Sequence, residues 1–149
     1  MLFSVGTTTP TLTHADIAAV VIPDKETKSQ EVRALEEKKR KACADEAEKH
    51  SKECVTALIE TYAHEFEVPK KLALDIAMCE SSLRANVYGD NGRAFGTFQF
   101  HRPTFDEFAK KFGEELDYYD NEDSIKLAIW ALANDKEHHW TCYRKVAMK

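Results

Sequence analysis

One carboxylate in this chain is set apart by its neighbours. Glu80 belongs to the segment Leu72 to Arg84 (LALDIAMCESSLR), where Leu72, Ala73, Ile76, Ala77, Cys79 and Leu83 recur at helical spacing. At about 100° per residue, Glu80 projects near the centre of that apolar arc, one turn from Ile76, Ala77 and Leu83. Lys71, Asp75 and Ser82 take the opposite face. A carboxylate rooted among apolar groups resists ionisation, so its pKa rises and it can donate a proton near neutrality. That is what a general acid needs in glycoside cleavage, where the departing oxygen must be protonated. The alternative is a structural glutamate paired with Arg84, Arg93 or Arg102.

The residues that follow add to the chemical reading. After Glu80-Ser81-Ser82-Leu83 comes a turn-rich stretch, Gly89-Asp90-Asn91-Gly92, and then Phe95-Gly96-Thr97-Phe98-Gln99-Phe100. This order resembles the lytic transglycosylases of the lysozyme superfamily, which also includes goose-type lysozyme. Their hallmark is a helix ending in Glu-Ser, a short β-rich loop, and a Gly-Leu-Met-Gln-Ile-like segment. Glu80-Ser81 matches the first motif, and Gly96 and Gln99 match the Gly and Gln of the second. Thr97, Phe98 and Phe100 replace its aliphatics. The resemblance covers roughly Cys54 to Arg144.

The resemblance implies a mainly α, lysozyme-like α+β fold, a helical domain with a small β-hairpin. It implies a peptidoglycan glycan strand as partner and substrate, with no cofactor and no metal. Glu80 would act as acid and then base at the bond between N-acetylmuramic acid and N-acetylglucosamine. Ser81 would orient Glu80 or contact sugar, or else bond the preceding helical turn. The Gln99 amide would meet sugar groups, and Gly96 would permit close backbone approach. Phe98 and Phe100 would wall the groove or fill the core. Trp140 and Tyr143 would stack on a sugar face or close the core. The turn acid Asp90 reads as a turn-former. The chain departs from the family at its third motif, an Ala-Tyr-Asn-Ala-Gly-like run. Here Trp130-Ala131-Leu132-Ala133-Asn134-Asp135 has neither tyrosine nor glycine, and Tyr143 is the candidate replacement. Two alternatives stay open: a goose-type-like hydrolytic muramidase, and a lysozyme-like module that binds glycan or a protein without cleaving it.

Composition sets outer bounds. The 149 residues are 43% hydrophobic and 32% charged, which suits one domain with polar extras. No apolar run reaches the roughly 20 residues of a spanning helix. The net charge of −5, with acids and bases interspersed, gives no dense basic face for nucleic acid. Cys43, Cys54, Cys79 and Cys142 show neither C-x-x-C spacing nor zinc-type pairing with the six histidines. They are buried thiols or disulfides; the even count and a cell-wall substrate favour oxidation outside the cytoplasm, in a periplasmic, secreted or virion-associated setting. Cys79 with Cys142 is the expected bridge, tying the Glu80 helix to the chain's end. Cys43 with Cys54 needs a break between them, because eleven residues of continuous helix span about 16 Å.

The chain divides into three parts. Residues 1–23 are Thr-rich with a short apolar patch, Ile17 to Ile22, and read as a disordered arm or an atypical leader, since no basic n-region precedes a continuous apolar core. Residues 24–53 are dense in Lys, Glu, Arg and Ala without Pro or Gly, and predict a charged helical stalk with pairs such as Glu36 and Arg40. Its apolar positions are sparse; a protein-interaction role is the alternative to a solvated helix. Residues 54–149 form the lysozyme-like domain. Val55, Leu58, Ile59, Tyr62 and Phe66 describe a core stripe, and Pro69 starts the Glu80 helix. Asn91-Gly92 predicts a hairpin between Tyr88 and Ala94. Thr104 with Glu107 suggests a capping box opening a helix that ends at Gly113. Asp120 or Asn121 caps a last long helix. The tail from His138 to Arg144 has no regular pattern.

Overall fold

The structure is a computed structural model that describes residues 25–148; the expected arm or leader at 1–23 lies outside the described residues. Helix α1 (Lys25–Ala42) buries no residue, as its composition predicts. Glu37 pairs with Arg40 at 2.8 Å and with Lys41 at 3.3 Å, while Glu36 takes Lys39 at 3.2 Å, so Arg40 bonds Glu37 and not Glu36. The helix stops at Ala42, eleven residues short of the expected stalk end. The chain turns back through a single 3-10 turn at Glu48–His50. Helix α2 (Lys52–Glu65) then starts under Ser51, whose Oγ accepts from the Cys54 amide at 3.0 Å.

That reversal supplies the break that a Cys43–Cys54 bridge needs, and the disulfide is formed with a Cα–Cα distance of 4.9 Å. Helix α1 consequently lies along α2. Polar contacts fix it there: Lys38 to Glu60, Lys39 to Glu122 at 3.3 Å, Glu31 to His64 at 3.6 Å and Lys28 to Glu67 at 3.7 Å. Exposed and part-exposed pairs of this kind contribute little each, so the bridge is the stronger tie. Replacing Cys43 and Cys54 by Ser should lower unfolding free energy by about 3 kcal/mol, the loop-closure entropy for a span of this length. Denaturant melts of parent and variant measure this; coincident melts would show that the bridge constrains nothing.

The core stripe of α2 is as the spacing predicts, with Val55, Leu58, Ile59 and Tyr62 buried and Phe66 part-buried as the residue that caps the helix. Helix α3 (Lys70–Ser81) follows Pro69 and ends earlier than the expected Arg84. Ser82 and Leu83 both adopt left-handed backbone (φ 58° and 60°), and the Ser82 amide donates to the Met78 carbonyl at 2.9 Å. Leu83 is therefore buried from a turn and not from the helix. Two such residues in succession cost of order 1 kcal/mol or more each, offset by burying the leucine.

A three-stranded antiparallel sheet follows, β1 (Tyr88–Gly89), β2 (Ala94–Phe95) and β3 (Phe100–His101), in that spatial order. The predicted hairpin between Tyr88 and Ala94 is present, and β3 is an addition to it. Tyr88 faces Phe95, Gly89 faces Ala94, and Ala94 faces His101. Helix α4 (Arg102–Phe112) begins two residues before Thr104. Pro103, with its fixed φ and missing N–H, favours a start at this point, which places Thr104 inside the first turn and rules out the capping box. Gly113 ends the helix at φ 86°.

Helix α5 (Asn121–Ala133) has Asp120 as its cap, accepting from the Asp123 amide at 2.9 Å. Its Ile125, Leu127, Ala128, Ile129 and Ala131 are fully buried and form the centre of the domain against α2. Between α4 and the sheet, the rings of Phe100, Phe105, Phe108 and Trp140 meet edge to face. The unassigned tail is ordered: a 3-10 turn at Glu137–His139 leads into α6 (Thr141–Ala147). Helix α6 packs on α3, and the expected Cys79–Cys142 bridge joins them, with Cα atoms 5.9 Å apart. The whole is the mainly α, lysozyme-like arrangement with a small sheet.

Candidate active site

Glu80 reaches its position through three features of the chain. Ala73, Ile76, Ala77 and Ser81 form the buried stripe of α3, and Glu80 shares that stripe at its open end. The helix stops one residue later, so the carboxylate leaves the core where packing ends. The Cys79–Cys142 bridge then brings the first turn of α6 against it. The Cys142 amide, one of that helix's unpaired N–H groups, donates to Glu80 Oε1 at 3.3 Å.

The three candidate arginine partners are engaged elsewhere. Arg84 donates from Nε to the Ser81 carbonyl at 2.8 Å, Arg93 bonds Asp90 at 2.9 Å, and Arg102 bonds Asp106 at 2.8 Å. With no guanidinium at hand, burial dominates and raises the Glu80 pKa above its ordinary value; the Cys142 amide and the more distant charge of Lys145 oppose this only in part. Glu80 is half-buried, in contact with both the core and an open cleft.

The cleft holds about 610 Å³. Gly89, Ala94 and His101, paired across the three strands, line it from the sheet, and Asp90, Gln99, Phe100 and Thr104 complete that side. His139, Trp140 and Thr141 line it from the turn before α6. Asp90 is the second carboxylate here; its Oδ1 accepts from Arg93 at 2.9 Å, and its Oδ2 lies 3.2 Å from His101 Nε2. Burial, and then the neighbouring His138, push His139 below the usual histidine value, so this imidazole stays neutral more readily.

Of the sequence-predicted residues, Glu80 and Gln99 meet in this cleft; Phe100 borders it but is buried in the core, paired with Phe95 on the other face of the sheet. Gln99 has left-handed backbone (φ 50°), and its Nε2 donates to the Val87 carbonyl at 3.1 Å and the Gly96 carbonyl at 2.8 Å. Both amide hydrogens are thereby spent on the loop that carries the sheet, which makes Gln99 a brace of the cleft wall. Ser81 is buried; its Oγ donates to the Ala77 carbonyl at 3.3 Å and accepts from the Arg84 amide at 3.1 Å, pinning the helix end. Gly96 lies behind the wall at φ 81°, close to the Ala85 carbonyl and Ser124. Phe98 is fully buried in the core, and its carbonyl accepts from Trp140 Nε1 at 2.8 Å. Tyr143 packs against the core, outside the cleft lining. Trp140 borders the cleft on the α6 side but is itself buried in the core, packed on Phe98 and Phe100.

The cleft residues that the sequence did not mark as site residues are Gly89, Ala94, His101, Thr104, His139 and Thr141. A signal existed for the last: Thr141 precedes Cys142, so the expected bridge to Cys79 already required Thr141 to lie beside Glu80. His101 was legible only from β3, which the motif match hid.

Gly89 is the tightest point of the wall. A Cβ there would stand 2.0 Å from Gln99 Oε1. The glutamine cannot swing away without losing its two carbonyl partners, so Gly89→Ala should destabilise by about 1–2 kcal/mol. Most of that cost should vanish when Gln99 is already Ala, a coupling that a double-mutant cycle in thermal melts reads directly. Additive effects would mean that the two residues do not meet.

Comparison with known proteins gives one result. No curated protein and no solved structure matches the chain. A family model described as the Transglycosylase SLT domain matches residues 57–142. The match runs from α2 to the second half of the Cys79–Cys142 bridge, takes in Glu80 and the cleft, and covers more than half of the sequence. On that ground the chain belongs to the Transglycosylase SLT domain family.

Proposed function

We propose that this protein is a lytic transglycosylase that cleaves the β-1,4 bond between N-acetylmuramic acid and N-acetylglucosamine in peptidoglycan, with Glu80 as the acid and base. A glycan strand lies in the cleft, and protonated Glu80 gives its proton to the glycosidic oxygen as the bond to the anomeric carbon breaks. The resulting carboxylate then takes the proton of the muramic C6 hydroxyl, and that oxygen bonds the anomeric carbon to close a 1,6-anhydro ring. The proton lost in the first half is regained in the second, so the enzyme ends as it began and no water is consumed.

The observation that carries this reading is a half-buried, arginine-free Glu80 with a raised pKa at the cleft's inner end. Two-carboxylate glycosidases need a second free acid. Asp90 is ion-paired with Arg93 and has His101 Nε2 at 3.2 Å, which supports a mechanism resting on one carboxylate. Two formed disulfides support work in an oxidising, extracytoplasmic compartment.

Incubation with purified peptidoglycan sacculi, followed by chromatography of the soluble fraction, tests the proposal. Release of anhydro-ended muropeptides is the expected result. Reducing ends would assign the goose-type-like hydrolytic reaction instead, and an absence of soluble product would leave a glycan- or partner-binding module.

A further inference from the structure

The sheet that walls the cleft has a second face. Strand neighbours point to opposite sides, so while Gly89, Ala94 and His101 line the cleft, Tyr88 and Phe95 pair on the other side with ring centroids 4.8 Å apart. Tyr119, from the connection between α4 and α5, reaches the same Phe95 at 5.2 Å. Phe95 is buried, yet Tyr88 is 61% exposed and Tyr119 54% exposed. Two open phenol rings therefore flank one recessed ring. Below them Tyr118 is buried, with its hydroxyl donating to the Phe100 carbonyl at 2.7 Å. At the rim, Arg102 lies 5.2 Å from the Tyr118 ring, and its Nε donates to both oxygens of Asp106, at 2.8 and 3.0 Å.

Exposed aromatic rings held in a fixed arrangement beside planar polar groups mark a binding surface, because scattered apolar residues do not converge in this way. The chemistry selects the ligand. A pyranose ring has one face of C–H groups that packs on an aromatic ring, and a belt of equatorial hydroxyl and acetamido groups that needs donors and acceptors beside it. Tyrosine supplies both a ring and a hydroxyl, and an exposed guanidinium–carboxylate pair supplies the planar polar rim. With a net charge of −5 the protein has no overall attraction for an anionic polymer, so retention on one must come from contacts of this shape-dependent kind.

We infer that Tyr88 and Tyr119, with Arg102 and Asp106 at the rim, form a second saccharide-binding site, separate from the cleft, that holds a neighbouring stretch of glycan and keeps the enzyme on its insoluble substrate. The identity of the saccharide as peptidoglycan rests on the proposed function; the stacking site itself rests on the geometry above. Because the site shares the hairpin with the cleft but not its cleft-facing residues, it acts on retention and not on bond cleavage.

The test uses the full chain. In the Glu80→Gln background, binding to purified sacculi is measured by sedimentation for the parent surface and for Tyr88→Ala with Tyr119→Ala. The double substitution should weaken binding by roughly tenfold or more, as removal of two anchoring aromatic side chains does. Tyr88→Phe with Tyr119→Phe keeps the rings and should keep most of the affinity, which separates stacking from a folding defect. With Glu80 intact, turnover of short soluble glycan fragments should equal that of the parent, since such fragments occupy the cleft alone. Sedimentation of the alanine variant at parent affinity would overturn the inference, as would equal losses on sacculi and on short fragments. Loss of retention in the alanine variant, together with no fragment cleavage by the Glu80-intact parent, would leave the second site standing and remove the catalytic reading.

Discussion

Glu80→Gln should lower the release of soluble muropeptides by about 10²-fold to 10⁴-fold, the loss typical of a general acid–base group, while the protein folds normally. The amide keeps the size of the side chain, and its oxygen can still accept the Cys142 N–H. Only the transferable proton is gone. Stability should rise at neutral pH, because the ionised carboxylate is penalised by burial and the amide carries no charge. The pH dependence has a definite sign. Burial raises the folded pKa above the ordinary 4.5, so the folded state binds this proton more tightly than the unfolded state. The destabilisation is absent below the unfolded value, grows as pH rises through the interval up to the folded pKa, and is complete above it. Thermal melts across that interval should show a falling limb in the parent that is shallower in Glu80→Gln. Were Glu80 a structural ion-pair member, its replacement would instead strand a buried partner charge and lower stability by several kcal/mol.

The second large effect concerns the bridge that builds the other side of the site. Replacing Cys79 and Cys142 by Ser opens a span of 63 residues and should cost about 4 kcal/mol of stability, more than loss of the Cys43–Cys54 bridge. Activity should fall even well below the melting transition. The bridge holds the Cys142 amide, Thr141 and Trp140 at Glu80, and without it α6 is tied to α3 only by packing and the long Cys142 N–H to Glu80 hydrogen bond. The Cys43 and Cys54 variant should be less stable yet keep parent turnover in its folded range, because that bridge lies away from the cleft. Equal turnover in both variants at a temperature where both are folded would remove the positioning role assigned to Cys142.

Much of the fold was legible because its local signals agree with its packing. Val55, Leu58, Ile59 and Tyr62 recur at a helical period and are buried; Asn91-Gly92 turns the hairpin; Asp120 and Gly113 bound helices as their chemistry requires. Errors arose where tertiary structure overrides pattern. The apolar spacing of Leu83 continues the α3 stripe, but Ser82 and Leu83 turn left-handed and bury the leucine by another route. The charged run after Asp24 carries no Pro or Gly to announce its break, and the reversal before Ser51 is held by the Cys43–Cys54 bond and by pairs such as Lys38 to Glu60. At the site, residue type alone could not separate ring from ring. Phe98 and Phe100 are two apart on either side of Gln99, whose φ of 50° breaks the alternation, and Phe100 borders the cleft while Phe98 does not, though both rings are buried. The partners on the α6 side depend on a long-range bond: Trp140 was legible only as an aromatic residue of either role, and Thr141 from no local motif, because the Cys79–Cys142 bridge brings both to Glu80.

The most direct test of the central claim is the fate of water in the reaction. Peptidoglycan is digested by the purified protein in water enriched in the heavy oxygen isotope, and the muramic ends of the products are weighed by mass spectrometry. An intramolecular closure driven by Glu80 predicts ends lighter by one water than reducing sugars and free of the heavy isotope. Reducing ends that carry the heavy oxygen would show that water is the nucleophile, and would contradict the account.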